Sequence, residues 1–162
     1  MATNPQRNSP KRLVRAPKNL RQEPEIAFRY HDHIEPGEYV GYCRSAQIYF
    51  DQNYRRWGCC LQFDVFAGDR ITLIAKVTKF FNLGEGDKPA ARSRRRHYWI
   101  AWCAANGGRP PRRGDQLSTR IFVRRYAKVR VVDVTKNSAG VVAGADMVYS
   151  KVSEILAWET GG

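Results

Sequence analysis

The most regular pattern of hydrophobic and polar positions in this chain lies between residues 56 and 66. Every second residue there is apolar, namely Trp57, Cys59, Leu61, Phe63 and Val65. Successive side chains of a β-strand point to opposite faces, so a period of two is typical of a strand with one buried face. The pattern therefore predicts a strand over residues 56–66, and the same parity directs Phe50, Trp57 and Phe63 toward the core.

Turn residues divide the rest of the chain into further segments with strand or helix character. Two runs that follow turn residues predict strands over residues 38–50 and 70–79. Residues 97–106 contain no helix breaker and end at Gly107-Gly108, which predicts a helix. The remaining expected elements are a short turn of helix at 118–122, a strand at 126–134, and a segment at 147–156 whose spacing allows either a strand or a helix.

Three strands, a helix and two further strands form the order of the OB-fold. This fold is a five-stranded Greek-key barrel with one helix between strands 3 and 4. Gly41 inside the long first strand agrees with the bend that such a strand requires. Other small β-barrels with one helix are the alternatives. Residues 1–30 are predicted to be a flexible, disordered basic arm, and residues 31–162 the folded domain.

Positive charge is concentrated in two parts of the chain. The net charge is +13, and residues 85–130 alone hold 13 lysines and arginines against three acids. Residues 1–30 have a net charge of +5, whereas residues 31–84 are neutral. So dense a segment repels itself unless a polyanion neutralises it, which favours a nucleic acid as partner over a merely solvated basic loop.

The sequence offers little for catalysis. Its three histidines include His31 and His33, which we interpret as part of a solvated linker, and Asp64 and Asp69 have no evident partner. None of the four cysteines forms a CxxC pair, so free thiols in a reducing cytoplasm are expected. No apolar run approaches the ~20 residues that span a bilayer. We therefore expect a cytoplasmic protein that is not an enzyme, with no cofactor, metal, small-molecule substrate or membrane partner.

Aromatic and basic residues alternate along the segments that flank the predicted barrel. Single-stranded nucleic acid binders combine cations along the phosphate backbone with rings on which bases stack. Arg92-Ser93-Arg94-Arg95-Arg96 precedes a helix start, where cations are disfavoured and anions bind. One of Phe80 and Phe81 is expected in the core, and Trp99 and Trp102 are expected to plug the barrel end. The predicted nucleic-acid-binding residues are Tyr49, Tyr54, Arg56, Lys76, Lys79, Phe81, Arg92, Arg94, Arg95, Arg96, Arg112 and Arg113.

Several short segments resemble the OB-fold single-stranded-DNA-binding proteins of phages, plasmids and other bacterial mobile elements. They are Pro36-Gly37-Glu38-Tyr39, LQFDVFAGD at 61–69, KFFNLG at 79–84, RGDQLSTRIF at 113–122, VRVVDV at 129–134 and YSKVSEIL at 149–156. The resemblance covers roughly residues 34–156 and implies an OB barrel that binds single-stranded DNA with little sequence preference, in replication or recombination. Many such proteins end in an acidic tail, whereas this chain ends Ala157-Trp158-Glu159-Thr160-Gly161-Gly162 with one acid.

Three alternative functions remain open at this level, and one of them is a metal-dependent enzyme or nuclease that would use Asp64 and His97. The ligand could be RNA, since OB-folds bind both nucleic acids and nothing in the sequence reads a 2′-hydroxyl. A protein-interaction or inhibitor module could instead use the basic face on a larger nucleic-acid complex. A homo-oligomer is also an open alternative to a monomer.

Overall fold

The computed structural model describes residues 32–91, 96–112, 117–136 and 148–160. The disordered arm expected at residues 1–30 lies outside these ranges. The elements within them are β1 (Gly37–Asp51), β2 (Arg56–Phe66), β3 (Leu73–Gly84), helix α1 (His97–Ala105), a short 3-10 helix (Thr119–Ile121), β4 (Arg125–Val134) and β5 (Tyr149–Trp158).

The five strands form one antiparallel sheet in the order β3-β2-β1-β4-β5. β1 pairs with β2 from Val40 to Asp51 and with β4 from Gly37 to Cys43. The edge strands β3 and β5 lie against each other, so the sheet curls into an OB-like barrel with α1 between strands 3 and 4. The fold predicted from the element order is confirmed, and β5 is a strand rather than a helix.

The core is built by the inward faces of the strands and closed at one end by α1. Alternation in β2 buries Cys59, Leu61, Phe63 and Val65, as expected. Gly41 is needed at its position, because a Cβ there would lie 3.1 Å from the Phe63 ring and 3.4 Å from Val129. Tyr98 and Trp102 of α1 are buried and donate hydrogen bonds to the carbonyls of Leu117 and Ser118. Trp102 thus plugs the barrel end, as predicted.

Two details of the predicted strands are wrong. β3 begins at Leu73 and continues to Gly84 rather than spanning residues 70–79, so Ile71 lies in the preceding turn and is 82% exposed. Phe50 lies on the same side as Trp57, with its ring centroid 5.2 Å from the Trp57 ring, yet it is exposed. The β1–β2 hairpin continues beyond the point where β4 leaves β1, so its tip has little core to cover it.

The gap between the edge strands is bridged by the segment that precedes β1. The Asp32 carboxylate accepts a hydrogen bond from the N–H of Lys76 in β3 (2.7 Å), and the Asp32 carbonyl accepts one from the N–H of Ser150 in β5 (2.9 Å). His33 Nε2 lies 2.9 Å from Asp133 Oδ1. Asp32 and His33 are exposed, as a solvated segment predicts, but Asp32 is more than a linker because it bonds to both edge strands. Residue 31 lies outside the described ranges.

Candidate nucleic-acid interface

The outer surface of β1, β2 and β3 near the β1–β2 turn carries exposed rings beside basic groups. Tyr49 is opposite Gly58, which is opposite Asn82 on β3, and Phe80 is opposite Cys60. Their strand neighbours Cys59 and Phe81 point into the core, so these positions face outward. We define the hairpin face as the set Tyr49, Tyr54, Arg55, Arg56, Lys76 and Phe80.

Tyr49 is held in place by a glycine on the neighbouring strand. A Cβ at position 58 would lie 2.6 Å from Tyr49 Cζ and 2.7 Å from its hydroxyl oxygen, so the ring passes directly over Gly58. One side of the ring is thereby covered, and burial raises the pKa of the Tyr49 hydroxyl. The ring remains 37% exposed, which leaves it available as a stacking surface.

The β1–β2 turn fixes the next aromatic residue. Asp51 Oδ1 accepts hydrogen bonds from the backbone N–H groups of Asn53 (2.9 Å) and Tyr54 (3.2 Å), a side-chain-closed turn that leaves the Tyr54 ring exposed. The Arg56 guanidinium lies 4.8 Å from the Tyr54 ring centroid. Arg55 has a φ of 49°, a left-handed conformation that glycine or asparagine adopts at lower cost.

A small cavity lies between these groups. Its volume is about 200 Å³, and its lining includes Tyr49, Asp51, Arg56, Gly58, Phe80 and Asn82. The lining therefore combines aromatic rings with one guanidinium, one carboxylate and one amide. Such a mixture can pack against a flat ring and bond to its polar edge.

Lys76 extends the hairpin face along β3. Its side chain is exposed and lies opposite Asp64 of β2. Asp64 is buried, and it is paired with Arg44: Arg44 Nε lies 2.7 Å from Asp64 Oδ2, and Arg44 Nη2 contacts the same oxygen. The prediction that Asp64 has no partner is therefore wrong. Arg44 lies at a β-bulge between Cys43 and Ser45, and its side chain reaches Asp64 from there.

Two of the predicted binding residues lie on the other side of β3. Phe81 is only 5% exposed and packs against Tyr98 and Phe122, so its selection as a stacking ring is corrected to Phe80, which is 48% exposed. Lys79 is half-buried with its Nζ 2.8 Å from the carbonyl oxygen of Ser153. Burial is the main cause that lowers its pKa, and the nearby Lys151 adds to the effect.

The remaining predicted cations are described only in part. Arg96 is the exposed residue that precedes α1, and its side chain makes no capping hydrogen bond. Arg112 is also exposed. Arg92, Arg94, Arg95 and Arg113 lie outside the described residues. Of the predicted set, the hairpin face includes Tyr49, Tyr54 and Arg56 near the β1–β2 turn and Lys76 toward the other end of β2, opposite Asp64.

Two basic residues on the outer surface of β4, Lys128 and Arg130, are paired with acids. Lys128 Nζ lies 2.9 Å from Glu38, and Arg130 lies 2.9 Å from Glu154 and 3.5 Å from Glu38. Arg70 forms a two-point ion pair with Glu159. We define the paired face as Glu38, Arg70, Lys128, Arg130, Glu154 and Glu159. Lys128 and Arg130 belong to the basic segment of the sequence, yet glutamates of the same protein neutralise their positive charge.

Arg125, another member of the basic segment, has a structural role. Its guanidinium donates hydrogen bonds to the carbonyls of Ala105 (2.7 Å), Ile121 (3.1 Å) and Glu159 (3.3 Å). It also lies 5.2 Å from the Trp158 ring centroid. Arg125 thus joins the end of α1 to the end of β5 rather than facing a ligand.

The described residues contain no obvious reactive centre. They include no group of three or more His, Cys, Asp or Glu side chains that could hold a metal ion. Burial raises the pKa of the Cys43 and Cys59 thiols to about 12, which disfavours the reactive thiolate. No helix within these ranges has the length and apolar character needed to cross a bilayer.

The sequence analysis missed three members of the site. Phe81 was selected instead of Phe80, and the pairing of Phe80 with the outward Cys60 reverses that choice. Asn82 lies near a strand end, and only its pairing with Gly58, the partner of Tyr49, brings it to the site. Arg55 lies between Tyr54 and Arg56 in the sequence, so the run Tyr54-Arg55-Arg56 was the local signal for this cluster.

Comparison with protein-family models finds no match to this chain, and comparison with curated proteins finds none either.

Proposed function

We propose that the protein binds single-stranded DNA with little sequence preference through the hairpin face. The observation that carries this proposal is the juxtaposition of three exposed rings with basic groups on the outer surface of β1, β2 and β3. Tyr49, Tyr54 and Phe80 supply stacking surfaces for bases. Arg55, Arg56 and Lys76 supply positive charge and, among the described residues, form no ion pair with an acid.

The mechanism is stacking combined with counterion release. Bases of a single strand are free to unstack and lie on aromatic rings, and each stacked base contributes about 1–3 kcal/mol by alanine substitution. Neutralising phosphates releases condensed cations, which makes affinity fall as salt rises. A duplex hides its base faces, so only the electrostatic part remains. A role in replication or recombination of a bacterial or mobile-element genome follows from the resemblance noted above and belongs to this proposal.

Fluorescence anisotropy with labelled dT30, its duplex form and rU30 tests the proposal across a series of salt concentrations. We expect dT30 to bind most tightly. If about six phosphates are neutralised, the slope of log affinity against log salt should be about −4 for a single strand. Equal binding of all three would reduce the hairpin face to a general polyanion surface. Absence of binding at low salt would contradict the proposal and favour a protein partner.

A further inference from the structure

The cavity on the hairpin face has room for one small ring system. Its volume of about 200 Å³ is below the roughly 300 Å³ at which pockets for drug-sized ligands begin. Tyr49 and Phe80 are among its lining residues, so a planar base would have aromatic surface beside it. The polar groups at its rim then decide which base fits best.

The rim offers the Asp51 carboxylate as an acceptor and two donor groups, the Asn82 amide and the Arg56 guanidinium. Asp51 Oδ1 is already used by the N–H groups of Asn53 and Tyr54, which leaves Oδ2 as the oxygen that accepts from a ligand. Asn82 Oδ1 accepts a hydrogen bond from the N–H of Gly84 (2.9 Å), which leaves its Nδ2 amine to donate. Both side chains line the same cavity. The site therefore presents a negatively charged acceptor together with a neutral donor from Asn82 and a cationic donor from Arg56, both of which suit a carbonyl oxygen such as guanine O6.

The four bases differ in the hydrogen-bond donors and acceptors on the edge that would face the Asp51 carboxylate. Guanine has two adjacent donors, N1–H and the N2 amine, followed by the O6 acceptor. Adenine and cytosine place a ring-nitrogen acceptor directly beside their amino donor. The single N3–H of thymine lies between two carbonyl oxygens, and both of these oxygens would repel a carboxylate that approached the N–H group. The electrostatic match is therefore best for guanine and worst for thymine.

We propose that this cavity binds one guanine base and gives the protein a preference for guanine over thymine at a single position of an otherwise non-specific site. Asp51 Oδ2 accepts from the N1–H and N2-amine edge, and Asn82 Nδ2 donates to O6. The inference rests on the proposed function, because it specifies which base the hairpin face selects once single-stranded DNA is bound.

The test compares dT15 with dT7-dG-dT7 by competition anisotropy, using the full chain in a lithium buffer. One well-placed base contact is worth enough for the single guanine to raise affinity about tenfold. An oligonucleotide with inosine in place of guanine lacks the N2 amine, and it should recover only about threefold of that gain.

Asp51→Asn is the informative variant. The asparagine oxygen can still close the turn, but the group that faces the cavity changes from an acceptor to a donor. We expect the preference for guanine to disappear or reverse toward thymine. Asp69→Asn is the matched control: Asp69 Oδ1 accepts from the N–H groups of Ile71 and Thr72 in the β2–β3 turn, so this variant removes the same charge from a similar turn outside the cavity. It should keep the preference.

The outcomes separate the two proposals. Binding of dT15 with an unchanged affinity for the guanine oligonucleotide overturns the guanine site and leaves the proposed function standing. A preference that survives in Asp51→Asn also overturns it. Failure of both oligonucleotides to bind overturns the proposed function and this inference with it. A tenfold preference that is lost in Asp51→Asn and kept in Asp69→Asn supports the site.

Discussion

The hairpin face and the paired face are two surfaces of one barrel that both carry basic side chains. They differ in whether those side chains form ion pairs with acids of the protein itself. On the paired face, Lys128 and Arg130 each contact a glutamate within 3 Å. On the hairpin face, Arg55 and Arg56 form no ion pair among the described residues and lie beside exposed rings instead. The number of basic residues in a segment therefore does not measure the charge available to a ligand, since pairing across strands removes part of it.

The largest expected effect is on stability, and it should differ between substitutions of the adjacent residues Phe80 and Phe81. Phe81→Ala empties a core position and should lower the free energy of unfolding by about 3–5 kcal/mol. Phe80→Ala removes an exposed ring and should change stability by less than about 0.5 kcal/mol, while it weakens dT30 binding about tenfold. Urea denaturation and anisotropy titration of both variants measure the two effects. Equal loss of stability in both would show that the two sides of β3 are assigned wrongly.

Gly58→Ala tests the placement of Tyr49. The added Cβ would occupy the position of the Tyr49 ring, so the ring must move away from the hairpin face. We expect about a fivefold to tenfold loss of dT30 affinity, within the range of one lost stacking contact. Gly68→Ala is the control, because a Cβ at Gly68 has no atom within 4 Å. An unchanged affinity in Gly58→Ala would remove Tyr49 from the stacking set.

Lys76 and Lys79 form a matched pair on β3 with opposite orientations. Lys76→Gln removes an exposed charge of the hairpin face and should make the salt slope less steep by about 0.7. Lys79→Gln alters a half-buried amine bonded to Ser153 and should leave the slope unchanged. Anisotropy titrations of both variants over the same salt series measure the slopes. A larger change for Lys79 than for Lys76 would contradict the assigned faces.

The smallest expected effect concerns the paired face. Arg70 lowers the pKa of the Glu159 carboxyl, so this group adds stability above the ordinary glutamate pKa and loses that contribution as the pH falls. Glu159→Gln should therefore lower Tm slightly at pH 7, by an amount that shrinks below about pH 4. Binding of dT30 should not change by more than twofold. A Tm difference that grows toward acid pH would contradict this sign.

The local sequence pattern was sufficient to predict the order of strands and helix. It was not sufficient to predict, in every strand, which side chains face the core and which face outward. The alternation in β2 and the breakers around α1 are short-range signals, and both elements lie where they were expected. Register shifts at Cys43/Ser45, Trp57/Gly58 and Val65/Phe66 interrupt the period of two, and no local rule gives their positions. The stacking choice at Phe81 failed for a different reason: the period of two runs unbroken from Ala75 and Val77 to Phe81, so alternation along β3 already placed Phe81 on the buried side and Phe80 on the exposed side.

Hydrogen bonds and ion pairs between residues that are distant along the chain could not be predicted from the sequence either. Asp64 meets Arg44 from another strand, and Asp32 reaches Lys76 although 44 residues separate them. Ion pairs such as Arg130 with Glu154 form only once β4 and β5 are in register. A count of charges along the chain therefore indicated a polyanion partner without showing which cations remain available to it.

The most direct test of the central claim is an NMR titration of the isotopically labelled protein with dT15, followed through backbone amide and aromatic side-chain shifts. The account predicts that the largest shifts occur at Tyr49, Tyr54, Arg56 and Phe80, while Lys128, Arg130 and Glu154 remain unperturbed. Shifts concentrated on the paired face, or spread evenly over both faces, would contradict it.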